Sequence, residues 1–170
     1  MVYPERFSNL PEATWPRLRS LLDAHEPGGE PIAMTIGEPQ HAFPAWVGDV
    51  LAANVGEFAK YPTNEGTPEL LSAIAGWVSL RYGVSMTPNR VIALNGTREG
   101  LYNAAMSLSP EVKNGKRPVV LIPNPFYQVY MLAAMSVGAE PVFLPASEET
   151  GHLPDFSALS DDILDRTTIA

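Results

Sequence analysis

The sequence predicts an α/β fold in which a mostly parallel sheet carries helices on both faces and a short N-terminal arm precedes it. Short apolar runs rich in β-branched residues alternate with segments in which apolar residues recur at helical spacing. The short runs are continuously apolar and do not alternate with polar residues, which is typical of strands buried on both faces of a parallel sheet. These two observations define the predicted fold class.

The composition and charge of the chain exclude several classes of binding partner. The 170 residues carry a formal net charge of −8 and no long basic run, which argues against nucleic acid or an anionic membrane surface as partner. The chain has no cysteine and no apolar run long enough to span a bilayer. We expect no secretory leader, because the first residues do not combine a basic segment with an apolar one. We therefore expect a cytoplasmic protein that binds a small molecule. His25, His41 and His152 are isolated in predicted loops without acidic or cysteine partners at ligand spacing, so no metal site is predicted.

Residues 1–36 are predicted to form the N-terminal arm. It contains one amphipathic helix, which Thr14 can cap, and a short strand over residues 32–36. Two further helices are predicted over residues 44–54 and from Pro68, capped by Thr67, to Gly83.

A strand, turn and helix unit then occurs twice. The predicted elements are, in order, a strand at 91–95, a helix at 98–108, a strand at 119–122, a turn at 123–127, a helix at 128–137, a strand at 141–144, a helical segment at 156–164 and the opening of a strand at 167–170. The last strand has no room to finish, so we expect the chain to be a fragment. The paired acids Glu148-Glu149 and Asp161-Asp162 are interpreted as solvated charge.

The turn at Gly96 and Thr97 is the first candidate for a binding site. The backbone N–H groups of Thr97, Arg98 and Glu99 are predicted to be the unpaired donors of a first helical turn, which attracts anions. Gly96 lets a ligand approach the backbone, the Thr97 hydroxyl can donate a hydrogen bond, and Arg98 adds positive charge. Taken alone, the pattern is also typical of an ordinary turn and helix cap. Because ligands of parallel sheets bind at the carboxyl ends of strands, this turn and the turn at 123–127 are predicted to face one pocket.

Four motifs taken together are more specific than either turn. They are Gly37-Glu38-Pro39, Tyr61 with Glu65-Gly66-Thr67-Pro68-Glu69-Leu70, Asn95-Gly96-Thr97-Arg98-Glu99, and Asn124-Pro125-Phe126-Tyr127-Gln128-Val129-Tyr130. In order and spacing they resemble the class I/II, fold type I pyridoxal-phosphate aminotransferases, over essentially the whole chain. Within that family, the last two motifs are most similar to the succinyldiaminopimelate aminotransferases of bacterial lysine synthesis.

The resemblance implies pyridoxal 5'-phosphate as cofactor and assigns roles to matching residues. Gly96, Thr97 and Arg98 would hold the cofactor phosphate, and Tyr127 would stack on the pyridine ring, with Phe126 as the alternative. Gly37 would lie near the substrate carboxylate. Tyr61 would reach the phosphate of the partner subunit, which implies a homodimer with shared active sites.

The resemblance also implies residues that this chain does not contain. Lys60, Lys113 and Lys116 are in polar loops, and none matches the lysine that binds the cofactor as a Schiff base, so no catalytic residue is assigned. Residues 1–36 would then belong to the smaller domain, and residues 37–170 to the first part of a truncated cofactor-binding domain.

The predicted reaction moves an amino group between an amino acid, N-succinyl-LL-2,6-diaminopimelate, and the 2-oxo acid 2-oxoglutarate. Two alternatives stay open. One is an aspartate or aromatic aminotransferase, or a β-lyase, of the same fold. The other is a phosphate-binding α/β module without catalysis, although the glycine-rich turn typical of nucleotide-binding modules is absent from the sequence.

Overall fold

The structure is a computed structural model, and it describes residues 4–8, 10–32, 34 and 36–170. These residues fall into two compact units, one from residues 1–11 and 94–170 and the other from residues 12–93. The helices and strands are α1 (Thr14–Leu22), α2 (Trp46–Ala53), α3 (Pro68–Tyr82), α4 (Thr97–Leu108), β1 (Val119–Asn124), α5 (Gln128–Ser136), β2 (Glu140–Pro145), α6 (Asp161–Arg166) and β3 (Thr167–Ile169). In the described part of the chain, no helix has the length and apolar character needed to cross a membrane. The predicted domain boundary between residues 36 and 37 stays a prediction.

The sheet has β1 at its centre, with β2 and β3 parallel to it on either side. The first four residues of β1 are buried. On one face of the sheet, Val120 and Ile122 pack with Ala134 of α5. On the other face, Val119 and Leu121 pack with residues that precede and belong to α6. The predicted parallel sheet, covered by helices on both faces, is confirmed.

Local sequence signals place α3 correctly. The Thr67 Oγ1 atom accepts a hydrogen bond from the backbone N–H of Leu70 at 3.2 Å, and the helix ends at Gly83, as predicted. The predicted cap of α1 is wrong by one residue. Ala13 occupies the N-cap position and Thr14 is the first helical residue, so the chain enters this helix without a side-chain cap.

The strand predicted at residues 91–95 is wrong. The backbone at Val91 is extended, with φ −118° and ψ 138°, but among the described residues no strand pairs with this segment. The Ala93 N–H instead donates to the Glu65 carbonyl at 3.3 Å. Extended geometry becomes a strand only when a neighbour supplies a hydrogen-bonded ladder. The strand predicted at 32–36 rests partly on residues 33 and 35, which lie outside the described residues.

The helical segment predicted at 156–164 is two elements. A short 3-10 helix spans Phe156–Ala158, and α6 begins only after Ser160. The Ser160 hydroxyl accepts a hydrogen bond from the Ile163 N–H at 3.4 Å, which starts a new helix at that point. β3 follows directly, where the sequence predicts the opening of a strand.

Candidate functional site

Helix α4 begins at the turn that the sequence marks as a binding site. Gly96 is its N-cap, with φ 122° and ψ 156°, a backbone conformation that other residues rarely adopt. No atom lies within 4 Å of the position that a Cβ on Gly96 would take. No side chain caps the helix, and the N–H groups of Thr97, Arg98 and Glu99 have no acceptor among the described residues. The helix therefore starts with three available donors beside open space.

Two contacts that sequence reasoning missed hold this turn. The Glu99 carboxylate accepts a hydrogen bond from the backbone N–H of Asn95 at 3.0 Å. The Leu94 side chain lies over Gly100, so closely that a Cβ there would overlap it. A glutamate three residues after the N-cap is the signal that could have revealed the first contact, because this position often reaches back to the chain before the helix.

The side chains of Arg98 and Tyr127 join the two turns. Arg98 Nε donates a hydrogen bond to Tyr127 Oη at 2.6 Å, and the Arg98 Cζ atom lies 5.5 Å from the centroid of the Tyr127 ring. Tyr127 follows β1 and occupies the N-cap position of α5. The structure thus brings these two sequence-predicted residues together at one place, as expected for turns that face one pocket.

The neighbouring aromatic side chains distinguish Tyr127 from Phe126, the alternative candidate for the stacking ring. The Phe126 ring packs on Phe143 of β2, with centroids 4.8 Å apart, whereas the Tyr127 and Tyr130 rings are perpendicular, with centroids 5.9 Å apart. Of the two, Tyr127 is therefore the ring placed against Arg98. A cleft of about 570 Å³ adjoins this place between α4 and α5, and it is lined by Asn95, Arg98, Glu99, Tyr102, Asn103, Gln128, Val129 and Leu132.

Gly37 and Tyr61 belong to the unit of residues 12–93, and each is described within that unit alone. The Tyr61 side chain is fully exposed, at 101% of its reference area. Gly37 is exposed and has no atom within 4 Å of where a Cβ would lie. Both positions are open to a ligand or to another chain.

Two of the three lysines lie at the opposite end of β1. Lys116 Nζ pairs with Asp162 at 2.7 Å, and Lys113 Nζ donates to the Thr167 carbonyl. The six residues of β1 separate them from Tyr127 by about 20 Å. Lys60 is exposed in the other unit. Across residues 4–8, 10–32, 34 and 36–170, no three His, Cys, Asp or Glu side chains are grouped so that they could hold a metal ion.

Asp161 and Asp162 are exposed in the first turn of α6, so their interpretation as solvated charge at a helix start is confirmed. Asp162 also belongs to an ion-pair network, which the sequence does not reveal. Arg166, whose side chain is 11% exposed, pairs with Glu140 at 2.7 Å and with Asp162 at 2.9 Å. Hydrogen bonds from Lys116 and Arg166 lower the pKa of Asp162. The bonds of Arg166 to Glu140 and then to Asp162 raise the pKa of Arg166.

Comparisons with known proteins identify the family. A model of the family described as aminotransferase class I and II matches residues 30–169. LL-diaminopimelate aminotransferases of Dehalococcoides mccartyi and Moorella thermoacetica are each 32% identical, over 99% and 96% of this chain and 43% and 42% of theirs. The crystal structure of an aminotransferase from Neisseria meningitidis is 30% identical, with a TM-score of 0.85, and is matched over 96% of this chain and 42% of its own.

The chain belongs to the aminotransferase class I and II family, since the family model covers most of its length. It spans about 43% of the length of these relatives. The family implies pyridoxal phosphate, and the residues at the α4 turn fit that group. Three available N–H donors, a hydroxyl at Thr97 and an unobstructed Gly96 suit a phosphate. The half-exposed Tyr127 ring nearby suits a flat heterocycle.

Proposed function

We propose that the whole protein is a pyridoxal-phosphate-dependent aminotransferase, and that this chain provides the phosphate site and the stacking ring of its cofactor pocket. The observation that carries the proposal is the contact between Arg98 and Tyr127. It places an aromatic ring beside a helix start whose N–H donors have no protein acceptor among the described residues.

Each residue has a physical task in this proposal. The N–H groups at the start of α4 and the Thr97 hydroxyl donate hydrogen bonds to the phosphate, whose negative charge the helix dipole favours. The Tyr127 ring presents a face for stacking, and Gly37 lets a substrate carboxylate approach the backbone. The bound cofactor supplies an electron sink for reactions at the substrate Cα. No residue of this chain is assigned to move the Cα proton.

The proposed amino donor is a diaminopimelate, and the proposed acceptor is 2-oxoglutarate. The names of the relatives favour free LL-diaminopimelate, whereas the wording of the motifs around Thr97 and Tyr127 favours the N-succinyl form. Both substrates carry an α-carboxylate and a remote carboxylate, as does 2-oxoglutarate. The pocket therefore needs two cations. This chain places Arg98 beside the proposed phosphate site, but the Arg98 side chain is bonded to Tyr127, so we expect these cations to come mainly from the rest of the whole protein.

Kinetics of the purified whole protein test the proposal. Adding pyridoxal phosphate should give a saturable absorption change in the visible region. With 2-oxoglutarate as acceptor, kcat/KM should be highest for one of the two diaminopimelates and lower for aspartate and phenylalanine. A higher kcat/KM for aspartate or phenylalanine would favour the alternative, an aspartate or aromatic aminotransferase of the same fold. Phosphate binding without transamination of any substrate would favour the non-catalytic module.

We also propose that the protein is a homodimer in which Tyr61 contributes to the partner subunit's phosphate site. A fully exposed tyrosine beside apolar surface supports this, because such surfaces are typical of subunit contacts. The exposed apolar residues that precede Tyr61 include Trp46, Val50, Leu51, Val55 and Phe58.

A mixing experiment tests the shared site. One subunit carries Tyr61→Phe, and the other retains Tyr61 but has its cofactor-binding lysine replaced. In the heterodimer, the site that keeps its lysine receives an intact Tyr61 from its partner, so its cofactor affinity should return to the wild-type value. If affinity stays as weak as in the Tyr61→Phe homodimer, Tyr61 does not act across the interface.

A further inference from the structure

The Arg98 side chain is committed to Tyr127. Its Nε atom donates to Tyr127 Oη at 2.6 Å, and the guanidinium lies 5.5 Å from the ring centroid. A guanidinium that binds phosphate by two parallel hydrogen bonds presents an edge made of two of its nitrogens. The bond to Tyr127 occupies the edge that contains Nε and leaves the edge formed by the two Nη atoms. The Arg98 side chain therefore has a defined protein partner in the absence of any phosphate.

The orientation of the Tyr127 ring depends on a few contacts made by the ring and its hydroxyl group. It is 37% exposed and follows a strand in a turn, so close packing does not fix its orientation. The Tyr130 ring lies perpendicular to the Tyr127 ring, with centroids 5.9 Å apart, and Arg98 binds the hydroxyl at the far end of Tyr127. Two contacts at different parts of the ring restrict its rotation about both side-chain torsions.

We propose that the side chain of Arg98 is a positioning residue for Tyr127, and that Arg98 serves the cofactor phosphate through its backbone N–H alone. The inference rests on the proposed cofactor site. It assigns the side chain a different task from the phosphate contact that family resemblance implies. The cation holds the ring in the orientation in which its face can stack, so the cofactor meets an aromatic surface that is already ordered.

Paired titrations with pyridoxal phosphate and pyridoxal, which lacks the phosphate, test this role in the cofactor-free whole protein. Arg98→Gln should weaken both ligands by a similar factor, roughly three- to tenfold, which lies within the range for losing one typical intramolecular hydrogen bond. Tyr127→Phe keeps the ring but removes the acceptor, so it should reproduce the effect, and the double variant should be no weaker than either single one. Thr97→Ala, which acts on the phosphate, should weaken pyridoxal phosphate only.

Weakening of pyridoxal phosphate with unchanged pyridoxal affinity in Arg98→Gln would overturn the proposal, because the side chain would then act on the phosphate. Additive effects in the double variant would also overturn it. A wild-type protein that binds neither ligand would end the proposed function itself and this role with it.

A measurement on the protein without ligand tests directly whether Arg98 orders the Tyr127 ring. With 3-fluorotyrosine incorporated, the Tyr127 fluorine resonance, assigned by its loss in Tyr127→Phe, should shift and broaden in Arg98→Gln. The matched control Arg17→Gln, an exposed arginine on α1, should leave that resonance unchanged. An unchanged Tyr127 resonance in Arg98→Gln would show that the contact does not order the ring.

Discussion

The two ends of β1 differ in whether the polar groups near them have hydrogen-bond partners within the protein. At the amino end, Arg166 is held by Glu140, by Asp162 and by the Arg117 carbonyl at 3.1 Å. Among the described residues, no buried side-chain nitrogen or oxygen lacks a hydrogen-bond partner. At the amino end, the charged groups therefore pair with one another, and these pairs stabilise the fold.

The carboxyl end leaves donors available. The first N–H groups of α4 have no acceptor among the described residues, Gly96 opens onto empty space, and Tyr127 is half-exposed. Glu99 and Arg98 orient this end without capping the helix. The difference teaches that polar groups at the end of a sheet indicate a ligand site where some of them, here the first backbone N–H groups of α4, have no partner among the described residues. Substitutions at the two ends should accordingly change different measured quantities.

The largest expected effect is at the amino end. In the whole protein, Arg166→Met should lower the thermal unfolding midpoint more than any substitution at the carboxyl end, because it leaves Glu140 and Asp162 facing each other without the cation between them. Calorimetry measures the midpoint. Lys116→Met, which removes a single exposed pair, is the matched control and should cost little. Equal midpoints for the two variants would contradict the network, and cofactor affinity of the folded protein should change in neither.

At the carboxyl end, Gly96→Ala should lower both stability and cofactor affinity. A φ of 122° costs a residue with a Cβ about 1–3 kcal/mol of strain. Chemical denaturation and pyridoxal phosphate titration measure the two effects. Gly48→Ala within α2, where a Cβ meets no atom within 4 Å, is the control and should stabilise the protein by about 0.5–1 kcal/mol. If Gly96→Ala behaves like the control, the turn carries no strain.

Thr97→Ala should affect the cofactor alone. Losing a hydrogen bond to a charged group should weaken pyridoxal phosphate binding by about 1–3 kcal/mol, roughly five- to 150-fold. The unfolding midpoint should be unchanged, since Thr97 does not cap α4. Thr87→Ala, at an exposed N-cap in the other unit, is the control and should leave cofactor affinity at the wild-type value. Unchanged affinity in Thr97→Ala would mean that the turn is only structural.

Local signals could be predicted from the sequence, and contacts between distant residues could not. The Thr67 cap, the end of α3 at Gly83 and the apolar run of β1 depend on neighbours in the chain, and all three are confirmed. Residues 91–95 have strand composition, yet whether they form a strand depends on a partner elsewhere. Composition therefore predicts extended backbone more safely than it predicts a paired strand.

The same limit applies to the candidate site. The motifs single out Thr97, Arg98 and Tyr127 one by one, but the bond between Arg98 and Tyr127 joins residues 29 positions apart. The pair of Arg166 with Glu140 joins residues 26 positions apart, which is why the sequence predicts the exposed charge of Asp162 but not its ion pairs. Pairing across elements decides whether a charge stabilises the fold or serves a ligand.

The smallest expected effect is a pH dependence confined to the amino end. The Lys116 and Arg166 hydrogen bonds lower the pKa of Asp162 in the folded protein. A carboxyl group with a lowered folded-state pKa stabilises the protein above its unfolded pKa, about 3.9, and loses that contribution as the pH falls through the folded value. Asp162→Asn should therefore lower the thermal midpoint at neutral pH and should flatten its decline below about pH 4.

Thermal melts between neutral and acid pH measure this difference. The difference in unfolding midpoint between wild type and Asp162→Asn should be largest at neutral pH and should become smaller as the pH falls. Asp161→Asn, at a neighbouring carboxylate without an ion pair among the described residues, should follow the wild-type curve. A constant gap at every pH would mean that the Asp162 charge does not contribute through its pKa. Cofactor affinity at neutral pH should be equal in all three proteins, because Asp162 acts at the end of β1 away from Tyr127.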